Sequence, residues 1–98
     1  MRIELHPEVD AEFAAEVEYY DRKEPGLGQR FYHEVLSYLD WIAEHPTIPR
    51  LRKDHRRVNL KVFNHYIAYV IEKDFIWVLA VAHGSMRPRY WRNRLGRT

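Results

Sequence analysis

The most apolar run of this 98-residue chain, Val78-Leu79-Ala80-Val81-Ala82, ends on His83-Gly84, and Ser85-Met86-Arg87-Pro88-Arg89-Tyr90-Trp91-Arg92 follows. A buried strand that delivers an imidazole and several guanidinium groups to one end of a sheet is well built to meet a polyanion. Imidazole exchanges protons near neutrality. Guanidinium forks clamp phosphate with permanent charge. Aromatic rings stack on exposed bases. If the chain cuts RNA through the RNA's own 2′-hydroxyl, it needs a proton-transfer group, cations on the developing phosphorane and an acid for the leaving oxygen. His83, Arg87 and Tyr90 are the candidates for that catalytic set, with Arg57 as a second phosphate clamp and Trp91 as a second stacking ring. The quieter alternative makes His83 a strand-end histidine bonded to a neighbouring loop. The arginines then form a rim that holds an acidic protein partner.

Charge is divided unevenly along the chain. Residues 1–49 carry four Lys/Arg against eleven Asp/Glu, whereas residues 50–98 carry twelve against three. The formal net charge of +2 therefore conceals a bipolar molecule. Such asymmetry points to a nucleic acid or an acidic protein as partner of the basic half. Arg52, Lys53, Arg57, Lys61, Arg87, Arg89 and Trp91 are the candidate target- or partner-binding residues. The cations are expected to gather on the sheet, away from the acids of the first helix. Those acids, Glu12, Glu16, Glu18 and Asp21, read as a solvated face.

Other chemistries are poorly supplied. There is no cysteine, so neither disulfides nor a thiolate zinc site can form. His6, His33, His45, His55 and His65 lie on different elements without ligand spacing and read as surface or capping residues. No metal site and no cofactor are expected. Nothing approaches the roughly 18 consecutive apolar residues of a membrane span, and the opening residues lack the apolar stretch of a signal peptide. A cytoplasmic protein without a membrane partner is the expectation. With 46% apolar and 14% aromatic residues there is ample surface to bury, and 1–98 reads as a single domain.

The elements that must position these residues are legible in the periodicity. Residues 2–6 alternate and read as a first strand. Pro7 suits the opening turn of a helix, and Val9, Phe13, Val17 and Tyr20 recur at helical spacing up to Lys23. Glu24-Pro25-Gly26 punctuates the chain. A second helix runs from Leu27 to Glu44 with Leu27, Phe31, Val35, Tyr38, Leu39 and Ile42 on its inner face. Most of the chain's aromatics fit core packing, but Trp41 falls off that stripe beside Tyr38 and marks a candidate partner patch. From Arg56 the period becomes two, with Val58, Leu60 and Val62 on one side. A turn at Asn64-His65 leads to a strand over 66–72, and Lys73-Asp74 leads to a nearly all-apolar last strand over 75–83. The fold class is α+β: a βααβββ chain with an antiparallel sheet and an N-terminal helical hairpin packed on one face. The first strand is placed beside the second. Leu79 and Val81, alternating with alanines, are expected to point into the helices.

In that order and those motifs the chain resembles the RelE/ParE toxins of bacterial type II toxin–antitoxin systems. The resemblance rests on His6-Pro7-Glu8 opening the first helix, Tyr19-Tyr20, Arg56-Arg57-Val58, Tyr66-Ile67-Ala68-Tyr69 and the ending Leu79-Ala80-Val81-Ala82-His83-Gly84. It covers essentially the whole chain and lies closer to the ParE-like branch. It implies a toxin that is inactive while bound to a cognate antitoxin and that poisons DNA gyrase. The alternative it implies is a RelE-like, metal-independent endoribonuclease that cuts mRNA on the ribosome. One departure is Ser85-Met86, which intervenes where many relatives place consecutive basic residues.

Overall fold

The computed structural model describes residues 1–96. His6 opens the first helix, α1 (Pro7–Lys23), by accepting the Glu8 amide on its Nδ1 at 3.1 Å. Pro7 occupies the first turn, where a missing N–H costs nothing. Glu8 and Asp10 sit at the positive end of the helix, Arg22 and Lys23 at the negative end. The chain reverses through Gly26 at φ 88°, a left-handed conformation that favours glycine, into α2 (Leu27–Glu44). Gly26 has no side chain to cap α2, and Asp21 of α1 takes over by accepting the Gly28 amide at 2.7 Å. A Cβ on Gly28 would strike the Val17 carbonyl, so glycine lets the two helices close at this point. The inner stripe of α2 buries Phe31, Val35, Leu39 and Ile42 as its spacing predicts.

Four strands follow the βααβββ order: β1 (Arg2–Leu5), β2 (Arg56–Asn59), β3 (His65–Ile71) and β4 (Phe75–His83). Spatially they run β1-β4-β3-β2. The sheet is mostly antiparallel, but β1 lies parallel to β4 and not beside β2. This corrects the expected placement of the first strand. The physical reason is the apolar character of β4, which is buried on both faces and takes a strand on each side. The chain passes through both helices, β2 and β3 before β4 comes to lie parallel to β1.

Two further corrections concern register. β2 stops at Asn59, because the Leu60 amide bonds the His65 carbonyl at 2.9 Å and Glu34 of α2 takes the Val62 amide at 3.1 Å. Val62 is thereby turned to solvent, while Leu60 and Phe63 are buried. Ala68 pairs with Ala80 but Tyr69 pairs with Val78, so Leu79 is the extra residue of a β-bulge. Val78 and Val81 consequently face the helices, and Leu79 faces away from them with Ala80 and Ala82.

Leu79 is nonetheless fully buried, because the segment after Gly84 folds back over the second face. Trp91 is its anchor. The indole belongs to one buried cluster with Tyr66, Ala68, Phe75, Trp77 and Leu79, and its Nε1 donates to the Tyr66 hydroxyl at 2.9 Å. The sheet thus separates two cores, one under the helical hairpin and one under the tail. Among the described residues no helix is long and apolar enough to cross a membrane.

Candidate functional site

The loop between α2 and β2 carries the first cations of the basic half and is firmly held. Arg56 donates to the Pro49 carbonyl at 2.7 Å and to that of Thr47 at 3.3 Å. The Tyr69 hydroxyl donates to the Pro46 carbonyl at 2.7 Å, and burial pushes its pKa up to about 12. The Arg52 amide bonds the His55 carbonyl at 2.8 Å, pinching the loop tip. Against this loop lies the tail, and between them Arg52, Lys53, His55, Arg57, Tyr66, Pro88, Arg89 and Trp91 enclose a cleft of about 260 Å³.

Side chains in the cleft are organised by few contacts. Asp54 accepts from His55 Nδ1 at 2.8 Å with one oxygen and from Arg89 at 2.5 Å with the other. These bonds, the one from His55 foremost, hold its carboxyl below the ordinary range. Arg89 reaches Asp54 from a left-handed backbone, φ 59°, unusual for a residue with a Cβ. The Arg57 guanidinium lies 3.8 Å over the Tyr66 ring, a cation–π contact. Its Nε is buried without a hydrogen-bond partner.

A second cavity, of about 240 Å³, opens beside α1 and is lined by Glu12, Ala15, Glu16, Val81, His83, Met86 and Tyr90. His83 Nδ1 accepts the Ser85 amide at 3.0 Å and lies 2.7 Å from the Ser85 hydroxyl. In the neutral ring the proton is therefore on Nε2. The ring of His65 stands perpendicular to it at 5.0 Å. His65 is buried, bonds Glu16 through Nε2 at 2.9 Å, and leaves its Nδ1 without a partner. Burial lowers its pKa against the opposing pull of Glu16. Tyr90 is pushed up to about 12, chiefly by burial and then by Glu12. Among the described residues, no lysine or arginine lines this cavity.

The structure thus brings Arg52, Lys53, Arg57 and Arg89 together and places His83 with Tyr90, but in a different cavity. His65 and His83 lie on the α1 side of the sheet, Tyr66 and Trp91 on the tail side. Arg87 is exposed on the turn and lines neither cavity. Lys61 lies apart, in a groove with Ser37, Tyr38, Trp41 and Val58. Trp91 is only 1% exposed, so it forms the floor of the cleft and has no free face for a base.

Several residues do more than periodicity alone indicates. His55 and His65 are buried, not surface groups. Glu12 and Glu16 are not a solvated face: Glu16 holds His65, and Glu12 receives the Arg94 guanidinium at 3.0 and 2.6 Å. The available signal was the spacing of Glu8, Glu12 and Glu16, which stacks three carboxylates on one stripe of α1.

No match to the sequence is found among curated proteins. The family model described as ParE toxin of type II toxin-antitoxin system, parDE, matches residues 3–88. That span runs from β1 through the hairpin, the whole sheet and the His83 turn to Pro88. With nearly all of the described fold inside the match, the chain belongs to the ParE toxin family of type II toxin–antitoxin systems.

Proposed function

We propose that this chain, acting as one domain over residues 1–98, is a cytoplasmic toxin that inhibits DNA gyrase by binding and is neutralised by a cognate antitoxin. The separation of the two cavities carries this reading. Cleavage of RNA needs a proton-transfer group and cations around one phosphate. Here His83 and Tyr90 share their cavity with two carboxylates, and the clustered cations lie on the other face. The Tyr90 phenol, with its pKa near 12, is a poor proton exchanger at neutral pH. A binding toxin requires only complementary surfaces, and a cationic cleft on a rigid sheet is such a surface.

Neutralisation is assigned to the groove formed by Ser37, Tyr38, Trp41, Val58 and Lys61. Trp41 and Tyr38 are aromatic anchors there, Lys61 favours an acidic segment, and β2 is an edge strand with an open ladder. Inducing the protein without its antitoxin should give DNA-damage signalling and filamentous cells. Immediate arrest of translation with fragmented mRNA would instead support the endoribonuclease.

A further inference from the structure

We propose that the cleft lined by Arg52, Lys53, Arg57 and Arg89 is a binding site for the phosphodiester backbone of duplex DNA. The proposal deepens the gyrase reading, on which it rests for its biological role: the DNA held by the enzyme would be the ligand. Its chemistry is independent of that reading.

The argument begins with charge. Four cations line the cleft, no carboxylate does among the described residues, and Asp54 approaches it only from behind Arg89. Asp54 is already shared between His55 and Arg89, and among the described residues neither Arg52, Lys53 nor Arg57 meets a carboxylate within ion-pair distance. An excess of three positive charges around one small cleft is more than a single acidic side chain neutralises. A duplex offers one negative charge per about 1.7 Å of its axis, so neighbouring phosphates match a cluster of this kind.

Preorganisation is the second strand of the argument. Arg57 is held over Tyr66 at 3.8 Å, and its Nη2 donates to Asn59 Oδ1 at 3.4 Å, so its fork is positioned before any ligand arrives. Arg89 is fixed by Asp54, and the loop carrying Arg52 and Lys53 is tied down at both ends. Little side-chain freedom at Arg57 and Arg89 remains to be lost on binding.

The aromatic groups select the form of nucleic acid. Readers of single strands present open rings on which bases stack. In this cleft Trp91 is buried and the Tyr66 face is covered by Arg57, so no stacking platform is offered. Contact is limited to the backbone and carries no sequence preference.

The test uses the isolated protein and a fluorescent duplex of arbitrary sequence, with anisotropy measured over a range of salt concentrations. Binding should be equal for unrelated sequences and weaken with salt, with a log–log slope of about −3 for three free cations. Arg52→Gln combined with Lys53→Gln, both at exposed positions, should flatten the slope by about 2, and Arg57→Gln by about 1. Circular dichroism checks folding, and the double variant decides the matter if the Arg57 variant fails to fold. Absence of binding at low salt overturns the proposal. So does a slope unchanged in the double variant, or tighter binding of single-stranded RNA or of a Glu-rich peptide than of the duplex. None of these measurements involves gyrase, so failure here is distinct from failure of the gyrase reading.

Discussion

Arg94 and Glu12 form a two-pronged ion pair, 3.0 and 2.6 Å, that joins the tail to α1 around the open edge of β4. β1 ends at Leu5, and the His6 amide satisfies the Val78 carbonyl at 3.1 Å. The next carbonyl, that of Leu79, would be left to solvent at the edge. Arg94 Nη1 takes it at 3.0 Å while the same guanidinium grips Glu12. One side chain thus closes the sheet edge and ties together the coverings of both faces. Its residue lies beyond the family match, which stops at Pro88.

Arg94→Met should therefore destabilise the protein although it adds no polar group. It leaves the Leu79 carbonyl unpaired and Glu12 with only the long 3.4 Å bond from the Tyr90 hydroxyl. Glu12 is partly solvated, so the loss is expected near the low end for a broken buried pair, about 3 kcal/mol. Urea denaturation measures it. A loss under about 0.5 kcal/mol, typical of surface substitutions, would show that the clamp is not formed.

Trp91 provides a sharper contrast between a binding and a packing role. As the largest fully buried side chain, it should cost about 3–5 kcal/mol when truncated to alanine, and Leu79→Ala should cost about 2–5 kcal/mol. An exposed stacking tryptophan could be removed with little change in the thermal midpoint.

Gly28→Ala inverts the usual helix rule. Alanine ordinarily gains about 0.5–1 kcal/mol over glycine inside a helix. Here the new methyl meets the Val17 carbonyl and the Asp21 carboxylate that caps α2. A net loss of about 1–3 kcal/mol from overpacking is expected, read in the same denaturation assay.

Stability should also fall as the solution is acidified below neutrality, in part through His65. Burial depresses its pKa from the ordinary 6.5, so the unfolded chain takes up the proton first. The group contributes its full stability above pH 6.5 and loses it progressively as pH falls toward the depressed folded value. NMR titration should find the His65 ring changing state below its ordinary range, and His65→Phe should flatten the stability profile in that interval. A ring that titrates at or above 6.5 contradicts this.

Much of the fold is legible in the sequence. Pro7, Gly26 and the 3.6-residue stripes of Val9–Phe13 and Phe31–Ile42 are local signals that act within one element, and both helices run where they indicate. What escaped depends on non-local pairing. The parallel partner of β1 is chosen by β4 across two helices, and the Leu79 bulge is invisible to a period of two because it breaks that period. The candidate site divides in the same way. Arg52, Lys53, Arg57 and Arg89 could be singled out by charge, and they do meet. That His83 would lie on the opposite face from them follows from the strand alternation of β3 and β4 together with the fold-back of the tail, which composition does not encode.

Purified gyrase relaxing or supercoiling a plasmid provides the decisive comparison. With a binding toxin, added protein should inhibit supercoiling, and His83→Gln should inhibit it as well as the unaltered chain. Co-purified antitoxin should abolish the effect. Undiminished supercoiling at saturating protein, together with mRNA cleavage on ribosomes that is lost in His83→Gln, would contradict gyrase inhibition and place the chemistry at His83.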